Sequence, residues 1–322
     1  MRSDSNIRSE HSENRRNDAM NLIKFIALIG VLCIHIKFPT IVGTELVYLS
    51  KFAVPLFFAV SGYYTYHTPA GIILKRAGRM FRWMIFGNAL YFFWDLVYET
   101  MCGRSAAVFV RTAFTPKKIL VFLVTNESYL RGHLWFLGAL TYCYLVIFAL
   151  KTWKMRALLK TGSKQTTACS MIDRLIAPAV LLLLAAGIAG GGLLVMTGHG
   201  DKVLSYIRNW LFEGLPCMGL GYLLHRAQAE GRRCPLLGMH AMALTAILIV
   251  CGIEMCLTPP QMLLTAGAAM AALCLVGTAA DHPSVPEGVK PLGDFAKRYG
   301  LWVYVLQIIP IEILRALVHI VL

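Results

Sequence analysis

A lysine and a histidine eleven positions apart inside one apolar stretch are the residues of this sequence best placed to do chemistry. The stretch reads NLIKFIALIGVLCIHIKFP, with Lys24 near its start and His35 near its end. Eleven residues make about three helical turns, so both side chains fall within roughly 20° of one face, about 16.5 Å apart along the axis. Leu28 and Val31 lie between them on that side, which rules out a compact catalytic dyad. A lysine stem can snorkel to headgroups without any chemical role. Histidine lacks that reach, is buried at lower cost in its neutral form, and keeps a nitrogen that can take a proton. General-base chemistry at His35 is therefore the sharper reading, and a hydrogen-bonded structural histidine is the plainer one.

Two further segments carry polar groups among apolar ones. FAVPLFFAVSGYY sets Ser61 beside Gly62, Tyr63 and Tyr64, and GHLWFLGAL opens with His133 and Trp135. A tryptophan at such a place commonly anchors a helix at a membrane interface. His67, His199, His225, His240 and His319 have no mutual spacing that specifies a metal, and HExxH, CxxC and GxSxG are all absent. Neither a metalloprotease nor a hydrolase is supported, and no metal or tightly bound cofactor is expected. The nine cysteines fall mostly in apolar stretches and read as small buried hydrophobes.

The elements that must hold these groups are apolar helices. Of 322 residues, 57% are hydrophobic and 15% charged, with a mean hydropathy of +0.61. Soluble domains carry roughly 25% charge. The apolar residues come in blocks of about twenty, the length that crosses a hydrocarbon core of about 30 Å. The fold expected is an all-α, polytopic transmembrane bundle. Its spans lie near 20–39, 50–68, 82–101, 133–150, 175–196, 207–225, 237–257, 261–280 and 299–320, behind a polar cytoplasmic segment, 1–19. With the N-terminus inside, twenty of the 31 Lys and Arg residues fall on the cytoplasmic side, as the positive-inside bias requires. The net charge of +14 is thus a topology signal with affinity for anionic lipid, and nucleic acid is not an expected partner. Segment 102–132 is the weak point of the count, and a re-entrant or amphipathic piece fits it better than a full crossing. Gly187 and the run Gly190 to Gly192 permit close packing or a kink, and Pro55, Pro178, Pro216 and Pro310 can start or bend spans.

These features together resemble the membrane-bound acyltransferase family 3. The family's first span carries a basic residue, ten intervening residues and a histidine, matched here by Lys24 and His35, although members commonly have arginine where Lys24 stands. The likeness continues through VPLFFAVSGYY at 54–64, KRAGRMFRW at 75–83, HLWFLGALTYCY at 133–144 and LGDFAKRYGLWVYVLQIIP at 292–310, where Gln307 replaces a frequent histidine. The architecture is also similar to the membrane half of the serine racemases of vancomycin-resistance operons. A complete enzyme of that type is not expected, since no pyridoxal-phosphate domain is present in 20–322.

The resemblance implies ten spans in a bacterial cytoplasmic membrane, so residues 20–322 would form one acyltransferase-like transmembrane domain of nine or ten spans. It also implies transfer of an acyl group from cytoplasmic acyl-coenzyme A to an exported glycan or cell-envelope precursor. On that basis His35 is the candidate catalytic base, and Lys24, Arg76 and Arg79 are candidates for binding the donor. Ser61, Tyr63, Tyr64, His133, Trp135 and Gln307 are candidates for the substrate pocket. The expected passage runs from the Lys24 end to His35. Acetyl or another short acyl group is the expected cargo. The alternative is a transporter or sensor of a small polar solute, such as an amino acid, on the same scaffold. A protein partner or structural subunit remains a third reading.

Overall fold

The computed structural model describes residues 17–36, 38, 41–126, 128, 130–161, 167–231 and 264–321, and among them every regular element is helical. The expected span at 237–257 and most of the N-terminal segment lie outside the described residues. In chain order the helices are α1 (Asp18–Ile36), α2 (Ile41–Leu49), α3 (Ala53–Tyr63), α4 (Ala70–Met101), α5 (Ala106–Ala113), α6 (Pro116–Thr125) and α7 (Trp135–Thr161). They continue as α8 (Thr167–Met196), α9 (Val203–Ile207), α10 (Leu215–Ala229), α11 (Leu264–Asp281), α12 (Lys290–Leu306) and α13 (Ile308–Val321).

Among the described residues, four stretches are long and apolar enough to cross a membrane: Asp18–Ile36, Glu45–Tyr63, Gly132–Leu159 and Arg174–Met196. The last shows why water is the wrong solvent. Only 17% of its apolar window is buried inside the protein, and Leu175, Leu181, Leu182, Leu193 and Met196 face outward. A continuous exposed stripe of that kind marks contact with lipid or a partner. The molecule is an all-α bundle built for a membrane. Segment 102–132 holds α5 and α6, of 8 and 10 residues. At 1.5 Å per residue, neither approaches the roughly 30 Å of a crossing. The other expected spans map onto α4, α10, α11 and the α12–α13 pair, with different ends. Helix α4 starts at Ala70, well before the expected residue 82.

The first helix is fixed at both ends. The side chain of Asn17 accepts from the Met20 amide at 2.7 Å and donates to the Ala279 carbonyl at 2.9 Å, so it caps α1 while tying it to α11. At the far end the Arg315 guanidinium donates to the carbonyls of His35 and Ile36 at 2.8 and 3.1 Å, satisfying two of the terminal acceptors. Helix α1 packs on α12 and α3, α4 packs on α7, and α3 lies against α10 and α11.

Glycine sets the tightest of these contacts. A Cβ on Gly62 would stand 1.8 Å from the Met218 carbonyl oxygen, and one on Gly221 1.9 Å from that of Ala59, so α3 and α10 meet backbone to backbone. Gly187 and Gly190 sit against Phe212 and Tyr206, and packing is therefore their visible role. Pro178 lies inside α8, and Pro216 occupies the first turn of α10. Pro310 has no amide to give the carbonyl four residues back, and the α12–α13 rod breaks at Gln307.

Candidate functional site

The His35 end of α1 opens on a cavity of about 110 Å³. Val31, Ile34 and His35 line it from α1, Lys51 and Pro55 from the start of the α3 rod, and His133 and Trp135 from the start of α7. Arg208, Glu213 and Tyr304 complete its polar lining. The rings of His35 and His133 meet edge to face at 5.7 Å. His133 is held from outside the cavity by Tyr91, at 5.3 Å between rings. Its backbone carbonyl accepts from the Tyr304 hydroxyl. The His133 side chain is 5% exposed and its Nε2 has no hydrogen-bond partner in the protein.

Two local devices aim the other walls. Asn209 accepts from the amides of Leu211 and Phe212 at 2.8 and 3.0 Å and so caps a π turn over Trp210–Gly214. Such turns recur at functional sites because they redirect one side chain out of helical register; here Glu213 lines the cavity while 8% exposed. Asn126, with a left-handed φ of 58°, joins this turn to α7. Its side chain donates to the Trp135 carbonyl at 2.8 Å and accepts from the Trp210 amide at 3.1 Å. The Arg208 guanidinium lies 5.3 Å from the Trp135 ring centre, within cation–π range. Arg208 and Lys51 are the cations that act on the Glu213 carboxylate.

The Lys24 end is a second polar region. The Lys24 ammonium stands 5.4 Å over the Tyr64 ring, and Arg76 and Lys297 are its cationic neighbours. Arg76 donates to the Tyr64 carbonyl at 3.1 Å. Ser61 lies at the hydroxyl of Tyr144, whose field also includes Arg76 and Arg79. Tyr63 stacks on His225 at 4.2 Å and donates to Gln228 at 3.0 Å. Lys151 spends its three protons on the carbonyls of Thr65, Tyr66 and Thr68, at 2.6 to 2.8 Å, and so pins the turn between α3 and α4.

The sequence candidates therefore divide between two sites. His35, His133 and Trp135 share the cavity. Ser61, Tyr63 and Tyr64, expected in one substrate pocket with His133 and Trp135, lie instead with Lys24, Arg76 and Arg79. The reason is direction: Gly30 of α1 packs on Ser50 and Ala53 at the start of the α3 rod, so the rod runs back along α1 and delivers its last residues to Lys24. Gln307 is 3% exposed at the α12–α13 break, outside the lining of this cavity, with both amide atoms unpartnered. The expected passage to Lys24 is not part of this cavity either, because its lining along that face ends at Val31 and Leu28 is buried.

Lys51, Arg208, Glu213 and Tyr304 were not among the expected site residues. Glu213 carried a usable signal, since an acid within an apolar block marks function. Among the described residues no group of three or more His, Cys, Asp or Glu is placed to hold a metal.

A family model described as an acyltransferase domain, acyltransferase family 3, matches residues 17–321. The chain belongs to this family. Comparison with curated proteins and with solved structures gives no match. Membership establishes an acyltransferase-like membrane protein.

Proposed function

We propose that the protein is an O-acyltransferase that moves an acetyl or other short acyl group from cytoplasmic acyl-coenzyme A to a hydroxyl of an exported glycan or cell-envelope precursor. The observation that carries this reading is the pairing of His35 with His133 in one cavity, 5.7 Å between rings, with Arg208, Lys51 and Glu213 around them. Neutral His35 takes the proton of the acceptor hydroxyl as its oxygen attacks the thioester carbonyl. The carbon–sulfur bond then breaks, and the imidazolium returns the proton to the leaving thiolate. No covalent enzyme intermediate is needed. Arg208, held over Trp135, and Lys51 supply positive charge where the carbonyl oxygen becomes negative. An unmatched buried nitrogen costs about 1–3 kcal/mol. His133 Nε2 gains a partner if the acceptor hydroxyl enters beside it.

In this reading the Lys24 end faces the cytoplasm and receives the donor's phosphates. Lys24, Arg76, Arg79 and Lys297 gather cationic charge there, and the spacing of about 16.5 Å along α1 suits the pantetheine arm. Leu28 lies on that route and has to move for the arm to reach His35. The test is radiolabelled acetyl-coenzyme A supplied to purified protein in lipid, with peptidoglycan disaccharides and neutral oligosaccharides as acceptors. Labelled ester from the parent and none from His35→Ala is expected; equal transfer by both refutes the role of His35.

A further inference from the structure

Beside the His35 cavity lies a larger one, of about 660 Å³, between α4, the α5–α6 pair and the α13 helix. We propose that it binds a neutral, polyhydroxylated ligand, the sugar ring of the acceptor; this assignment rests on the acyl-transfer reading for the ligand's role.

The chemistry of the wall selects the ligand. Three carboxylates and three cations line it, and each described charge is already engaged. Arg131 forms a two-pronged pair with Asp95, at 2.6 and 2.9 Å, and reaches Glu312 at 3.1 Å. Glu99 pairs with Arg104 at 2.7 Å. Lys118 donates to the Thr112 carbonyl at 2.6 Å, and Arg315 to the carbonyls that end α1. Over the lining the three cations and three carboxylates cancel in sum, so the wall has little net attraction for a phosphate or an ammonium ion. It offers instead a dense set of oxygen lone pairs and N–H groups at short range, which is what hydroxyls need. Trp94, Tyr98 and Phe109 add aromatic surface among them for the apolar faces of a sugar ring. The volume falls in the range of pockets that enclose small ligands, roughly 300–1,000 Å³.

Position ties this cavity to the reaction. Arg315 lines it while donating to the carbonyl of His35 itself. On the other flank Arg131 lines it and stands 5.2 Å over the Tyr91 ring, which in turn packs on His133. A ring held here is separated from the backbone of His35 by Arg315 and from the His133 ring by Arg131 and Tyr91.

The experiment measures binding without any donor. Intact protein in lipid nanodiscs is titrated with lactose, maltotriose and chitotriose, and with glycerol 3-phosphate and choline as charged probes, by calorimetry. Thr112 is exposed, so Thr112→Trp fills the cavity from its rim, and Tyr98→Ala removes an exposed aromatic wall without touching the bundle core. The expected result is saturable binding of at least one oligosaccharide. Each variant should weaken it about tenfold or more, corresponding to about 1.4 kcal/mol. His35→Ala should bind as the parent does. No oligosaccharide binding, preference for a charged probe, or parent-like binding by both variants overturns the proposal. Sugar binding without ester formation under any donor would leave this site standing and remove the acyl-transfer reading. Ester formation with an acceptor KM unchanged in both variants would do the reverse.

Discussion

His35 and His133 make the narrowest claim. If His35 is the base, His35→Ala should lower kcat by about 10² to 10⁴, the usual worth of a positioned general base. Acceptor and donor affinities should stay close to those of the parent, as steady-state kinetics on both substrates would reveal. Arg208→Met should lower kcat by about 10² to 10³ if its guanidinium stabilises the developing oxyanion. A change confined to KM would assign it to ground-state binding instead. Both histidines and Trp135 could be recognised in advance because a polar group in an apolar block stands out against its neighbours. Lys51 and Arg208 were hidden by the opposite circumstance. Near helix ends, long basic side chains can snorkel to headgroups without a chemical role, so only the fold shows that these two line one cavity with Glu213.

The helical frame depends on α3 and α10 touching through glycine. Gly62→Ala puts a methyl within 1.8 Å of a backbone oxygen, which no rotamer change relieves. The helices must separate, and a cost at or above the usual 1–3 kcal/mol of overpacking, roughly, is expected. It would be read as a lower thermal midpoint in detergent, together with loss of the Tyr63–Gln228 bond that spans the same interface. Asn126→Ala should cost about 1–3 kcal/mol by leaving the Trp210 amide without its acceptor and removing the bond to the Trp135 carbonyl, and should lower activity beyond that by freeing the wall that carries Glu213. The helical character of the blocks and the short helices of 102–132 were readable from block length, whereas four described stretches, against the nine or ten spans expected, are long and apolar enough to cross. The placement of Ser61, Tyr63 and Tyr64 with Lys24 and away from His35 was not read from the motif, because it follows from the direction in which α3 runs back along α1. The π turn was equally invisible: nothing in NWLFEG distinguishes it from an ordinary helix start, and Asn209 creates it by capping two successive amides.

The molecule as a whole is read as two chemical ends joined by one helix. Charge at the Lys24 end should govern the donor alone. Arg76→Gln and Arg79→Gln should each raise the KM for acyl-coenzyme A by about tenfold, the equivalent of one charge-assisted hydrogen bond. The acceptor KM should not move. This separation of ends also distinguishes acyl transfer from solute transport, in which one ligand would feel both. The most direct test places the substrates on opposite sides of a bilayer. Vesicles containing the protein are loaded with radiolabelled acetyl-coenzyme A, washed, and given neutral oligosaccharides and peptidoglycan disaccharides outside. Labelled ester on the external acceptor is expected with the parent protein, and background label with His35→Ala. Equal labelling by the two proteins, or no external ester while the vesicles carry serine-sized solutes faster than protein-free ones, would contradict that expectation.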